Sequence, residues 1–314
     1  MSSEKRFSNL ELVERVDRWP YFSKDPDAYR QHMLNYYYFF VEGFKQPLGY
    51  MYHSFVKQMP WPKFWAIDHE KRTVTLNTGK ADFDGRNKLI EETIQAGMKS
   101  KVFRKWRGEL FRVSDANGEP VFDFDGAALD RFGVINYGVH MIGYVHGTEG
   151  TKYWVPRRSH TKSTAPNMLD NTVGGCLRAG EDPFACMIRE SEEELCLKPE
   201  DTSAKLKPCG TISWSIDQND DGSVGGQHQV QYLYEMDFGD IQPEIEKADG
   251  EVGAISLRTL DEVRDALYNG EFKLNCAMTW LAFLIRNGHI TAEEEPKIVE
   301  ICSRLHRKLD LFMV

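Results

Sequence analysis

The sequence lacks the features that mark membrane-embedded, secreted and nucleic-acid-binding proteins. None of its apolar runs approaches the ~20 residues that a membrane-spanning helix requires. The first residues, MSSEKRFSNL, mix acidic and basic side chains without an apolar segment, so we expect neither a secretory signal nor a transit peptide. The net charge is −9 and no long block of lysine and arginine occurs, which makes nucleic acid and membrane surfaces poor partners.

Cysteine pairs suited to metal or redox sites are also missing. A reduced, cytoplasmic protein without a zinc site is therefore the economical interpretation. The rest of the composition, 41% hydrophobic and 28% charged over 314 residues, is typical of a globular chain with one large domain or two of ordinary size. The cysteines, none of which forms a C-x-x-C pair, are Cys176, Cys186, Cys196, Cys209, Cys276 and Cys302.

One stretch, residues 175–197, carries most of the chemical information in the chain. Asp182 is a good N-terminal cap and Pro183 suits the first helical position, so the sequence predicts that a helix begins there. Pro199 should end that helix shortly after Leu197. At about 100° per residue, one stripe of this helix should face a core. That stripe consists of Phe184, Met187, Ile188, Ser191 and Leu195.

Three glutamates lie beside this stripe. Glu190, Glu193 and Glu194 have the i, i+3 and i+4 spacing that places side chains on one arc of a helix. Like charges at this spacing repel each other, so the arrangement favours a compensating cation, and Mg²⁺ with its oxygen ligands is the natural choice. The alternative is a solvated acidic helix face, which is the usual role of a glutamate run.

The residues in front of the helix favour the metal site. Together with the glutamates they resemble the Nudix box, a pattern of Gly, Glu, Arg-Glu, an apolar residue, Glu-Glu, Gly and an apolar residue. Ser191 departs from it at a small apolar position, and Cys196 replaces the closing glycine that lets the helix end in a left-handed turn. The matching positions are Gly175, Glu181, Arg189, Glu190, Glu193, Glu194 and Leu197.

This resemblance implies an α/β protein with the Nudix fold, in which a mixed sheet lies between helices as an α/β/α sandwich. We expect this domain over residues 131–290, with its box at 175–197. A smaller α+β domain of accessory role is expected over residues 1–130, and a C-terminal helix within 291–314 should pack on the Nudix domain. The implied activity is hydrolysis of a diphosphate that is linked to a further group.

The resemblance also implies roles for individual residues. The ion would be Mg²⁺ or Mn²⁺, which bridges phosphate oxygens and lowers the pKa of a bound water. Either Glu193 or Glu251 would act as the general base. Arg189 is expected to orient a carboxylate, with Glu193 in i,i+4 reach, and Glu181 to support the ligands. The expected metal ligands are Glu190, Glu193, Glu194 and the carbonyl oxygen of Gly175.

A loop ahead of the box narrows the resemblance. Residues 157–164 combine cations with hydroxyl groups, as phosphate-binding segments do, although a solvated polar loop is the alternative. A longer pattern resembles the fungal and plant Nudix subgroup related to the Nudix portion of thiamine pyrophosphokinases. It reads Arg158-Ser159-x-Thr161-Lys162-x-Thr164-x-Pro166, followed by Leu169-Asp170-Asn171-x-Val173-x-Gly175. That subgroup converts thiamine diphosphate, and preferentially its damaged oxo and oxy forms, to the monophosphate. Arg158 and Lys162 would then bind phosphate oxygens.

The organic part of such a substrate requires a pocket. Trp154, Trp214, Tyr232 or Tyr234 could stack on a flat or cationic ring, although each is more typical of core or sheet-face packing. The aromatic run at residues 36–40 has the same two interpretations. Hydrolysis of another diphosphate, such as a nucleotide sugar, and a non-catalytic binding module remain the alternative functions. The oligomeric state is not indicated by the sequence.

Local patterns predict several further elements. A strand is predicted at residues 36–44 and a helix at 48–58. Hairpins are predicted at 64–76 and, around Asn117-Gly118, at 110–124. Strands at 209–216 and 229–238 should be joined by an acidic, glycine-rich loop at 217–226.

Overall fold

The computed structural model describes residues 6–218 and 222–311, so part of the predicted acidic loop lies outside the described residues. The helices are α1 (Asn9–Glu14), α2 (Pro26–Met33), α3 (His53–Gln58), α4 (Phe83–Lys99), α5 (Leu129–Phe132), α6 (Pro183–Leu195), α7 (Pro199–Lys205), α8 (Leu260–Tyr268), α9 (Leu274–Arg286) and α10 (Ile298–Leu305). The strands are β1 (Tyr36–Val41), β2 (Gly49–Tyr52), β3 (Trp65–Asp68), β4 (Thr73–Leu76), β5 (Leu110–Ser114), β6 (Pro120–Asp125), β7 (Ile135–Gly147), β8 (Gly150–Arg158), β9 (Val173–Cys176), β10 (Lys207–Gln218), β11 (Val224–Asp237) and β12 (Val252–Thr259).

The N-terminal part is built on a four-stranded sheet with the order β2-β1-β4-β3, in which only β1 and β4 run parallel. The helix α4 packs against the hairpin β5–β6, and Phe39, Ile90 and Phe122 belong to the common core. The two predicted hairpins are confirmed. The helix predicted at residues 48–58 is wrong in its first half, because Gly49–Tyr52 pairs with β1 as a strand.

The second sheet is mixed and has helices on both faces. Its order is β10-β11-β7-β8-β12, with β9 paired to the first half of β7, and β7 and β11 run parallel. One face packs on α6 through Met187 and Leu195, and the other packs on α9 through Trp280. This arrangement is the expected α/β/α sandwich.

Both chain ends contribute to the second core. Leu12 and Val13 of α1, together with Ile301 and Leu305 of α10, pack in the same cluster as α9. The first helix and the following Val16 thus lie in the core of the C-terminal sheet, whereas β1–β6 and α4 contribute to the N-terminal core. No helix in the described part of the chain is long and apolar enough to cross a membrane.

An aromatic cluster joins the two parts of the molecule. Trp19, Tyr36 and Tyr50 pack against Ile135 of β7 and Val230 of β11. Of the aromatic run, Tyr37 and Phe39 belong to the N-terminal core, and Tyr36 and Tyr38 belong to this junction. None of residues 36–40, which all belong to the described part of the chain, lines the large cavity described below. The core interpretation of the aromatic run is therefore the one that the structure supports.

The box helix begins and ends as its sequence predicts. The Asp182 side chain accepts hydrogen bonds from the backbone N–H groups of Phe184 and Ala185, both at 3.0 Å, and α6 starts at Pro183. At its other end Cys196 adopts the left-handed conformation, with φ of 52°. A cysteine thus performs the turn that usually requires glycine. Ser191 is fully buried, and its hydroxyl donates to the Met187 carbonyl oxygen at 2.7 Å.

Candidate active site

The Glu190 side chain lies directly against Gly175 of β9, where only a glycine leaves room for it. A Cβ atom at Gly175 would lie 2.0 Å from Cδ of Glu190, so any side chain there would displace the carboxylate. Burial raises the pKa of Glu190 to about 7, although the adjacent Arg189 guanidinium opposes the shift. The carboxylate is thus held in a place where its negative charge is disfavoured without a further cation.

Glu194 lies one turn later on the same helix and is partly buried. Its Oε2 accepts a hydrogen bond from the Gly174 backbone N–H at 3.3 Å. Burial raises its pKa well above the usual value, and the charges of Asp170, Glu190 and Glu251 add to the shift. Asp170, on the loop before β9, was not among the predicted site residues. Its place beside the box follows from chain folding, which no local sequence signal indicates.

Arg189 holds the carboxylates of the box in place. Its guanidinium donates two hydrogen bonds to Glu181, at 2.7 and 2.8 Å, and further bonds to Glu190 at 2.8 Å and Glu193 at 3.0 Å. The hydrogen bonds from Arg189 keep the pKa of Glu181 below its usual value although burial acts in the opposite direction. Arg189 therefore contacts carboxylates on the box loop and on the box helix at once.

Glu193 points towards cations and is less enclosed than its neighbours. Besides Arg189 it faces Arg178 at 3.5 Å, and 37% of its side chain is exposed. Arg178 also binds Glu109, just before β5, at 2.7 Å, which links the box loop to the N-terminal part. Neither Arg178 nor Glu109 was predicted, although a cation inside the box loop was a signal that could have identified Arg178.

The donor set suits a hard divalent cation that shares its ligands with a substrate. Among residues 6–218 and 222–311, no three carboxylate, imidazole or thiol groups converge into a complete metal cage. Mg²⁺ does not need one, because it commonly binds one or two carboxylates and takes its other ligands from water and substrate phosphates. The Glu190 carboxylate in its glycine cradle, with Glu194 beside it, fits that requirement.

The loop ahead of the box uses its two predicted phosphate ligands differently. Arg158 is 11% exposed, and it donates to Asp170 at 2.6 Å and to the carbonyl oxygens of Thr164 and Ala165. The structure therefore gives Arg158 a role in holding the loop, and its contact with a substrate phosphate stays a prediction. Lys162 forms an ion pair with Glu251, and both side chains are partly exposed.

Comparisons with known proteins agree with this geometry. The family model for the NUDIX domain matches residues 137–280, and a domain of unknown function, DUF4743, matches residues 21–136.

Residues 137–280 form a Nudix domain. The chain is 32% identical to the uncharacterized protein YJR142W of Saccharomyces cerevisiae, over 96% of this chain and 92% of that one. It is 30% identical to the chloroplastic Nudix hydrolase 20 of Arabidopsis thaliana, over 70% of this chain and 58% of that one. The protein is a hydrolase that acts on pyrophosphate bonds.

Among solved structures, the Nudix domain of Shewanella oneidensis NrtR, crystallised with ADP ribose, is also similar. It is 15% identical, with a TM-score of 0.38, over 53% of this chain and 94% of that one.

A cavity of about 340 Å³ opens beside the box of this Nudix domain, on the face of the sheet opposite α6. Gly174 and Gly175 form part of its wall, so it adjoins the buried glutamates. Arg107 and Leu129 reach it from the N-terminal part. Its size lies within the range of small-molecule sites.

The four predicted aromatic side chains divide between this cavity, a second groove and the core. Trp214 lines the cavity. Tyr232 lies on the other face, where it stacks on Tyr137 beside the box loop. Trp154 and Tyr234 are 8% and 5% exposed and belong to the core between the sheet and α6. The structure thus brings Trp214 to the cavity and leaves Trp154 and Tyr234 out of it.

Proposed function

We propose that this protein is a Mg²⁺-dependent (or Mn²⁺-dependent) pyrophosphohydrolase of thiamine diphosphate derivatives, in particular oxidatively damaged oxo and oxy forms. The products are the monophosphate and phosphate. The observation that carries the proposal is the pair of partly buried carboxylates of Glu190 and Glu194, which contact Gly175 and Gly174 in the wall of a cavity large enough for a small organic molecule.

Glu190, Glu194 and the Gly175 carbonyl oxygen would hold the ion, with Glu193 as the weaker candidate because Arg189 and Arg178 already bind it. When bound, the ion neutralises the diphosphate oxygens and lowers the pKa of a coordinated water. Arg189 acts as a positioning residue, since its bonds to Glu181 and Glu190 fix the carboxylates before substrate arrives.

Of the two candidate bases, Glu251 is favoured over Glu193. Its charge contributes to the raised pKa of Glu194, so it lies near the ligands, and its cation Lys162 belongs to a partly exposed loop. When a substrate phosphate attracts Lys162, the ion pair between Lys162 and Glu251 opens. The Glu251 carboxylate can then accept a proton from water. The water oxygen then bonds to phosphorus, the anhydride P–O bond breaks, and phosphate and monophosphate leave.

The thiamine assignment is supported by the loop pattern around Arg158 and Lys162 and by Trp214 on the cavity wall. Product release should be measured as inorganic phosphate for thiamine diphosphate and its oxo and oxy forms, and as the nucleoside monophosphate for ADP-ribose and a nucleotide sugar, because cleavage of the latter two frees no inorganic phosphate. Each substrate is tested with Mg²⁺ and with a chelator. We expect Mg²⁺-dependent release to be fastest with the damaged thiamine forms. Release from the nucleotide substrates alone would assign another diphosphate, and no release at all would indicate a binding module.

We also propose a cytoplasmic location. All six cysteines are free thiols, as expected in a reducing compartment. Fractionation of cells that express the full chain tests this, and recovery of the protein in an organelle would contradict it.

A further inference from the structure

The floor of the cavity is a polar part of the sheet face that packs against α9, whereas the rest of that face is apolar core. On that face, Ile142 of β7 and Leu233 of β11 are buried in the apolar cluster around α9. Towards the cavity, the same strands present His140 and Gln231, which are 5% and 3% exposed. Burying such groups costs free energy unless they form hydrogen bonds, so packing alone does not account for them.

Two buried atoms at this floor have no hydrogen-bond partner among the described residues. They are Nδ1 of His140 and Oε1 of Gln231. Burial also lowers the pKa of His140 to about 4, so the imidazole is neutral at physiological pH. The site therefore offers uncharged hydrogen-bonding groups beside the wall that Trp214 provides.

The Gln231 amide is held in one orientation. Its Nε2 donates to Oε1 of Gln229 at 2.9 Å, which leaves Oε1 as the available acceptor. Its partner across the strands is Gly138, where a Cβ atom would lie 2.3 Å from that oxygen. A glycine thus makes room for the amide beside the carbonyl oxygen of Gly175, which would lie 2.7 Å from the same Cβ.

We propose that Gln231 is a specificity-determining residue whose Oε1 accepts a hydrogen bond from an N–H group on the heterocycle of the substrate. The inference rests on the proposed function, since it assumes that the organic part of a diphosphate occupies this cavity. The ligand class is a flat nitrogen heterocycle with an exocyclic amine or a ring N–H. The apolar edges of such a ring would contact Trp214, while its phosphates extend towards Glu190.

The test is a binding measurement that needs no turnover. Isothermal titration with chelator present compares thiamine monophosphate with its analogue in which hydrogen replaces the exocyclic amine. The wild-type protein should prefer the amine by about tenfold, the value of one hydrogen bond. The variant Gln231→Met, of similar size, should bind both ligands equally. Its melting temperature should be close to that of wild type, because the loss of the hydrogen bond to Gln229 is offset by the removal of an unpaired buried oxygen. If Gln231 had only a structural role, its replacement by methionine would instead lower the melting temperature.

Two further variants make the outcome specific. Gln229→Met frees the amide to rotate and should reduce the preference only partly, by about threefold. Gln95→Met makes the same change on an exposed face of α4 and should behave as wild type. A preference that survives in Gln231→Met overturns the inference, as does a wild-type protein without preference or without binding. Phosphate release by the wild-type protein is measured separately, so failure of the proposed hydrolysis is distinguished from failure of Gln231.

Discussion

At the scale of single residues, Glu190 and Glu194 occupy positions that stability alone would not select. Both carboxylates are partly buried, and their pKa values are raised because the charged form is poorly solvated. Arg189 compensates Glu190 only in part, and Glu194 has the Gly174 N–H as its hydrogen-bond donor. Carboxylates whose charged form is disfavoured by their surroundings are typical of functional sites, and a bound cation would stabilise that form.

The substitution Glu194→Gln should therefore separate stability from activity. Glutamine can still accept the Gly174 N–H bond, and it removes a buried charge, so the metal-free protein should gain about 1 kcal/mol of unfolding free energy. Activity should fall at least about a hundredfold, because a metal ligand is lost. Denaturant titration and phosphate release measure the two effects.

The matched control is Glu192→Gln, an exposed position on the same helix. It should alter neither quantity. A Glu194→Gln protein that keeps its activity, or that is less stable than wild type, would remove Glu194 from the metal site.

At the scale of elements, the box helix and the hairpins could be predicted because their signals are local. The Asp182-Pro183 cap and the Asn117-Gly118 turn each act within a few residues. Residues 49–52 could not, because their strand exists only through pairing with β1. The same holds for Arg158, whose bonds to Asp170 and the Thr164 carbonyl depend on how the loop folds back.

The C-terminal turn of α6 provides a test at this scale. Cys196 has a positive φ, which costs an L-residue roughly 1 kcal/mol that glycine avoids. Cys196→Gly should therefore raise the unfolding free energy by about 0.5–1 kcal/mol, as measured by urea denaturation. Cys196→Ala keeps the strain and should show no gain. Equal stability of the two variants would show that the strain is not relieved by glycine.

At the scale of the whole molecule, the two sheets share one aromatic junction. His228 of β11 is 3% exposed and packs edge-on against Trp19 and Tyr50, while its Nδ1 contacts the Ser215 hydroxyl at 2.9 Å. Burial lowers the pKa of His228 to about 3, and the charges of Arg307 and His32 contribute. This junction was beyond sequence prediction, because Trp19, Tyr50 and β11 are distant in the chain.

His228 should make the stability of the molecule depend on pH. Its pKa is about 6.5 in the unfolded chain and about 3 in the fold, so the unfolded state alone takes up a proton between these values. Stability is complete above pH 6.5 and is lost as pH falls, by about 1.4 kcal/mol per unit from this group. The variant His228→Gln has no imidazole to protonate at this position, so this pH-dependent loss of unfolding free energy is absent. At pH 6.5 the variant should be less stable than wild type, and the difference should shrink as the pH falls to 4.5.

The exposed His306 supplies the comparison, since His306→Gln should keep the wild-type slope. Parallel curves for wild type and His228→Gln across this range would mean that the junction does not exclude the protonated imidazole.

The central claim, that the buried glutamates bind a divalent ion which acts on a diphosphate, is tested most directly by metal titration. Electron paramagnetic resonance should follow Mn²⁺ binding to the wild-type, Glu194→Gln and Glu192→Gln proteins in the presence of methylene diphosphonate. We predict that Glu194→Gln weakens binding at least about tenfold while Glu192→Gln matches wild type. Equal Mn²⁺ affinity in all three proteins would contradict the account.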